Sequence, residues 1–222
     1  MLVERAMDPV WLSNTYLVAD EPGGTAVFVD SGGPIESLLE AADRERLTVT
    51  HILRTHSHTD HVVFEDELRE QFGAPVATGS LQTGGLDVRA LPTPGHSDDG
   101  VSFVVNDAVC FTGDTLFRDA VGGGDPARVR ASVMDVLMAL PHDLRVLPGH
   151  TDETTIGREW EDNPFVRVWR GIQAEGSEQV HVDGESATLI VWSPDYDGKG
   201  KAWVRFADGR DAIVGGSRIE RG

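Results

Sequence analysis

Four side chains that ligate metals fall within six residues of this chain: His56, His58, Asp60 and His61, in the run Thr55-His-Ser-His-Thr-Asp-His61. At ordinary residue frequencies such a run arises about once in 10,000 chains of this length. Imidazole and carboxylate together suit a borderline dication such as zinc, and also iron or manganese. His56 and His58 lie two apart, so on a strand end both turn to one side. Asp60 and His61 are adjacent and diverge, which suits a second ion nearby. The short apolar segment Val49–Leu53 leads straight into the run, so the ligands stand where a strand stops and a loop begins.

Three more ligand candidates follow in the same setting. His96 lies in Thr93-Pro-Gly-His-Ser97, Asp114 in Phe111-Thr-Gly-Asp-Thr-Leu-Phe117, and His150 in Leu147-Pro-Gly-His150. Each comes just after an apolar stretch and directly after a glycine, which permits close backbone approach. His51, His142 and His181 lack that setting and are not expected to be ligands.

The surrounding pattern is strand–helix alternation mixed with hairpins. Strands are expected at Asn14–Val18, Ala26–Val29, Val49–Leu53, around Val76, and at Leu86–Leu91, Val101–Val105, Val109–Phe111 and Arg145–Leu147. Helices are expected after Pro34, over Glu65–Phe72, and after the cap Asp125-Pro126. From about Ala174 the helical period disappears. Four short strands separated by Asp183-Gly184, Asp195–Gly200 and Asp208-Gly209 read as a meander or small barrel. The expected division is therefore 1–173 and 174–222. Trp192 and Trp203 are expected to fill the barrel, and Cys110 to be a core residue.

The chain has 222 residues, 37 acidic against 19 basic, and a net charge of −18. That balance argues against nucleic acid and against anionic membrane surfaces as partners. No apolar run is long enough to span a bilayer. The first residues hold no secretory leader pattern. With one cysteine, a reducing, cytoplasmic setting is expected.

Taken together, the motifs of residues 10–170 resemble the metallo-β-lactamase-fold hydrolases, and within them the glyoxalase II-like (hydroxyacylglutathione hydrolase-like) branch. Thr154-Thr-Ile-Gly157 and Asn163-Pro-Phe165 are similar to that branch as well. The resemblance implies an α/β fold, an αββα sandwich with ligands at one edge of the two sheets. It implies two divalent ions, zinc first and iron or manganese as alternatives. One ion would be held by His56, His58 and His150, the other by Asp60, His61 and His96, with Asp114 bridging. Asp60 and Asp114 would be the catalytic carboxylates, and Asp30 would support the site from behind. The implied activity is hydrolysis of a small-molecule thioester or ester. The rival readings are a mononuclear iron persulfide dioxygenase-like enzyme, a lactone or ester hydrolase of the same fold, and a non-catalytic scaffold. A homodimer is a candidate assembly.

The chain departs from that branch in three places. Val63-Phe64 stands where Gly-Gly is usual, which is expected to narrow the pocket. The segment Arg118–Asp125 lacks the basic and aromatic residues that grip glutathione, leaving Arg118 as a candidate for a substrate carboxylate. A β-rich tail replaces the helical thiol-binding domain.

Overall fold

The computed structural model describes residues 1–222. Two sheets face each other and each carries helices on its outer side. The first sheet has the order β1 (Leu2–Met7), β2 (Asn14–Ala19), β3 (Thr25–Val29), β4 (Thr48–Leu53), β5 (Val76–Ala77). The second holds β6 (Leu81–Thr83), β7 (Leu86–Pro92), β8 (Val101–Val105), β9 (Val109–Gly113), β10 (Arg145–Pro148) and β11 (Thr154–Thr155), in chain order across the sheet. Pairing is antiparallel except β3–β4, β4–β5 and β9–β10.

The period-two alternation of each strand divides its residues between two cores. On β2 and β3, Tyr16, Val18, Val27 and Val29 point between the sheets, where they meet Phe103, Val105, Val109, Phe111 and Leu147. Leu17, Ala19, Ala26 and Phe28 point outward, under α1 (Glu36–Glu45) and α3 (Glu65–Phe72). On the far side, Val104, Cys110 and Val146 pack beneath α4 (Pro126–Ala131), α5 (Ile156–Asp162) and α6 (Pro164–Trp169). Cys110 is fully buried, as its place in the alternation required. This is the αββα sandwich.

Local chemistry sets the helix ends. Gly73 closes α3 in the left-handed conformation, with its N–H on Arg69 O. Asp125 caps α4 by accepting from Ala127 N and Arg128 N, and Pro126 takes the first turn. The helix then widens into a π-turn over Ser132–Leu137, where Ser132 Oγ donates to Pro94 O (2.6 Å). The Thr154–Gly157 and Asn163–Phe165 motifs prove to be helix starts: Thr155 caps α5 and Asn163 caps α6.

The tail forms a sheet of five strands, not four: β12 (Glu178–Val182), β13 (Glu185–Ser193), β14 (Lys201–Phe206), β15 (Asp211–Gly215) and β16 (Ile219–Arg221), in the order β15-β14-β13-β12-β16. The fifth strand was hidden from the alternation because Ile219–Arg221 is only three residues long. β15 and β16 lie on opposite edges, about 19 Å apart were the sheet flat. The link from Gly215 to Ile219 reaches at most about 14 Å, so the sheet must curl. Its own core holds Val180, Val182, Ala187, Leu189, Ala202, Val204, Phe206 and Val214.

A bulge between Leu189 and Val191 turns Ile190 and Val191 together toward the sandwich. There they join Trp203 and Ile213 in the same apolar cluster as Val129, Val133, Phe165 and Val166. The two tryptophans part company. Trp203 is buried in that shared cluster beside Trp169 (centroids 6.3 Å apart), not in the barrel's own core. Trp192 stays 43% exposed.

Candidate metal centre

Every predicted ligand stands at one edge of the sandwich, past the end of a strand. His56 and His58 follow β4, His96 follows β7, Asp114 follows β9 and His150 follows β10. Asp60 and His61 lie on a single helical turn, α2 (Thr59–Val62). The loop Asp30–Gly33 passes directly beneath that turn. Ser31 N donates to His61 O (2.8 Å), and a Cβ on Gly32 would fall 1.5 Å from Asp60 O. Gly149 is equally constrained, since a Cβ there would meet Asp114 Oδ1 at 2.3 Å. Asn14 and Tyr16 pin the following loop: both Asn14 Nδ2 (3.0 Å) and Tyr16 OH (2.8 Å) donate to Pro148 O.

The side chains converge as two triads, joined by a third grouping of His56, His61 and Asp114. His58 Nδ1 lies 3.1 Å from His56 Nε2 and 2.9 Å from His96 Nε2. Asp60 Oδ2 lies 3.4 Å from His150 Nε2 and 3.7 Å from His61 Nε2. Asp114 stands between them, Oδ1 at 3.3 Å from His61 Nε2 and Oδ2 at 3.5 Å from His96 Nε2 and 3.4 Å from His150 Nε2. The side-chain proximities group His96 and His150 differently from the ligand sets that the resemblance implies. His96 belongs with His56 and His58, and His150 with Asp60 and His61, because β7 ends beside the His56–His58 loop and β10 ends against α2.

The outer face of the cluster fixes its tautomers. Asp30 is buried and accepts from Thr55 N (2.7 Å), Thr55 Oγ1 (2.7 Å) and His61 Nδ1 (2.8 Å). With its own proton on Asp30, Thr55 Oγ1 accepts from His56 Nδ1 (3.0 Å). His96 Nδ1 donates to Gly123 O (2.9 Å). The Nε2 lone pairs of His56, His61 and His96 are thereby turned inward, the arrangement a ligating imidazole needs. Asp30 achieves this from a left-handed backbone (φ 55°), a conformation Asp and Asn tolerate better than most residues.

These residues fit divalent cations. His61 Nε2, His150 Nε2 and Asp114 Oδ1 are buried with no hydrogen-bond partner, an arrangement that costs free energy unless something else satisfies them. Solvent reaches the cluster on the side of His58, Asp60 and His96, the only members that are not buried. Arg118 is exposed, and its ion pair is with Asp119 (Nε 4.0 Å from Oδ2) rather than with any of the seven. Val63 is exposed, while Phe64 packs beneath α1 and α3 rather than over the site. His51, His142 and His181 lie elsewhere, beside Thr50, Trp160 and Ser186.

Residues 8–84 match the family model of the Metallo-beta-lactamase superfamily. A solved structure of the BLEG-1 B3 metallo-beta-lactamase is 30% identical, with a TM-score of 0.69, and the match covers 74% of this chain and 99% of that one. The chain belongs to the metallo-beta-lactamase superfamily. Two further solved structures are similar. ETHE1 from Myxococcus xanthus is 28% identical (TM-score 0.66, 78% and 92% covered). TTHA1623 in a di-iron-bound form is 32% identical (TM-score 0.62, 72% and 98% covered). An uncharacterized protein of Mycobacterium tuberculosis is 32% identical over 69% of this chain and 92% of its own length. A Bacillus subtilis protein named as a probable metallo-hydrolase, YqgX, is 29% identical over 71% and 93%.

Without its ions, this superfamily member must hold Asp114 and its histidines together by protons alone. Burial opposes the charged form of His150, but Asp114 and Asp60 outweigh it and push the imidazole up to about 9. His61 is raised well above its ordinary value against the same burial, by Asp114 and Asp30. Burial opposes ionisation of Asp114 too, yet His61 and His150 hold it well below the carboxylate range. At His56 burial prevails over the attraction of Asp114 and Asp30, with the charges of His61 and His96 adding to it, and the imidazole is pulled down to about 4.

A pH dependence of the metal-free protein follows. The raised His150 contributes stability below its unfolded value of about 6.5 and loses it as pH rises through 9, on the order of 3 kcal/mol. The depressed His56 costs stability as pH falls from 6.5 toward 4. Thermal melts of metal-free protein should therefore peak near pH 6–7 and decline on both sides. Saturating zinc should remove the alkaline decline, because a cation takes the place of the imidazole protons. A metal-free melting temperature that is flat from pH 6 to 9 would contradict this reading.

Proposed function

We propose that this protein is a dinuclear metal-dependent hydrolase that cleaves a small-molecule thioester. The observation that carries the reading is the Asp114 carboxylate standing between two complete triads, His56/His58/His96 and Asp60/His61/His150. A persulfide dioxygenase-like centre would need only His56, His96 and Asp114, and would leave the convergence of Asp60, His61 and His150 without a purpose.

Two bound divalent ions, zinc first, would supply hydroxide at neutral pH and positive charge for an oxyanion on the attacked carbonyl. The protein's own residues do the rest. Asp30 and Thr55 hold His61 and His56 in the ligating tautomer. Asp60, partly open to solvent, keeps Oδ2 3.4 Å from His150 Nε2, where it would help hold an ion and orient the hydroxide. The open side at His58, Asp60 and His96 admits the substrate. No serine or cysteine is required, and Cys110, buried behind the second sheet, is not available.

The experiment is to purify the protein without added metal, measure its metal content, and assay S-acyl thioesters of several thiols against esters, lactones and glutathione persulfide. Two ions per chain with thioester cleavage is the expected result. One iron per chain with oxygen consumption and sulfite release would overturn it.

A further inference from the structure

Three of the inward-facing histidines have a hydrogen bond on the outer nitrogen: His56 to Thr55, His61 to Asp30, His96 to Gly123. His150 has none. Its Nδ1 is buried with no hydrogen-bond partner. What holds its ring is aromatic. Tyr196 stacks on it with centroids 4.0 Å apart and planes 9° from parallel. Phe117 closes the arrangement edge-on, 5.8 Å from each ring.

Tyr196 does not belong to the sandwich. It sits in the loop between β13 and β14 of the C-terminal sheet, and that loop is locked down. Lys201 Nζ pairs with Asp195 Oδ2 at 2.9 Å, both side chains largely buried. Ser193 Oγ donates to Asp119 O, on the segment that follows Phe117. Gly200 lets the loop pass under Trp192, since a Cβ there would strike the indole at 2.5 Å. The loop thus has a fixed seat.

We propose that Tyr196 is the positioning residue of His150, taking the place of the hydrogen bond its neighbours possess. The C-terminal sheet is then a working part of the centre, and it governs the ion of the Asp60/His61/His150 triad rather than the other. This rests on His150 being a ligand, as the functional reading holds.

The test titrates zinc into metal-free wild-type protein, Tyr196→Phe, Tyr196→Leu and Asp195→Asn in competition with a chromophoric chelator. Metal-free melts report the fold of each variant. Wild type should take two ions, and Tyr196→Phe, which keeps the ring, should match both affinities within about twofold. Tyr196→Leu should keep one ion at wild-type affinity and weaken the other about 10- to 100-fold, the range for losing an orienting partner. Asp195→Asn, which frees the loop and leaves the ring intact, should weaken the same ion, and it decides the matter if Tyr196→Leu does not fold. Both ions held as tightly as in wild type, or both weakened equally, overturns the proposal. Wild type taking a single ion overturns the dinuclear reading itself, before any variant is compared.

Discussion

Asp114→Asn should lose one of two bound ions and reduce turnover by more than about 100-fold. Asp114 reaches both triads within 3.5 Å, through Oδ1 on His61 and Oδ2 on His96 and His150. Asparagine keeps the volume and one oxygen but removes the negative charge where two dications repel most. Loss of a mere orienting partner costs about 10- to 100-fold in affinity or activity, and a ligand shared by two ions should exceed that. The variant also loses the acceptor that keeps His61 and His150 charged. Its metal-free melting temperature should therefore fall less between pH 7 and 9 than that of wild type. Metal analysis, steady-state assays and melts at the two pH values check the three parts separately. A variant with two ions and near-normal turnover would show that Asp114 is not shared.

Asp30→Asn is the second large effect, and it acts without touching an ion. Asp30 accepts three hydrogen bonds in a buried position, two of them on Oδ2 from Thr55 Oγ1 and His61 Nδ1. Asparagine tolerates the left-handed backbone there, so the loop itself should survive. Whichever way the amide turns, its NH2 faces a donor: the Thr55 N–H on one side, the Thr55 hydroxyl and His61 N–H on the other. Each buried donor left without an acceptor costs about 1–3 kcal/mol. A loss of about 2–4 kcal/mol in denaturant unfolding of the metal-free protein is expected, with zinc affinity about 10- to 100-fold weaker. Unchanged zinc affinity would mean that the carboxylate does not orient His61.

Much of this site could be read from the chain because its signals are local. The His56–His61 run, the glycine before His96, Asp114 and His150, and the caps at Asp125 and Gly73 all act within a few residues of themselves. Asp30 came only from the family resemblance, since a lone Asp before Ser-Gly-Gly reads equally well as a turn former. What was misread depends on which strand lies beside which. His96 and His150 carry the same Pro-Gly-His signature, so nothing local distinguishes their neighbours, and in the fold His96 lies beside His56 and His58 and His150 beside Asp60 and His61. Tyr196 escaped notice because Asp195-Tyr-Asp-Gly-Lys-Gly200 reads as turn punctuation between two strands; its role exists only once the C-terminal sheet is packed on the sandwich. Trp203 was rightly expected to be buried, but against Trp169 and the helices rather than inside the barrel. The brief strands Leu81–Thr83 and Ile219–Arg221 are too short for any alternation to register.

The most direct test of the account is a crystal structure of the zinc-loaded protein with anomalous scattering recorded at the zinc edge. Two ions about 3.5–4 Å apart are predicted, one on His56, His58 and His96, the other on Asp60, His61 and His150, with Asp114 between them. A single ion on His56, His96 and Asp114, with Asp60 and His150 turned away from it, would contradict the account.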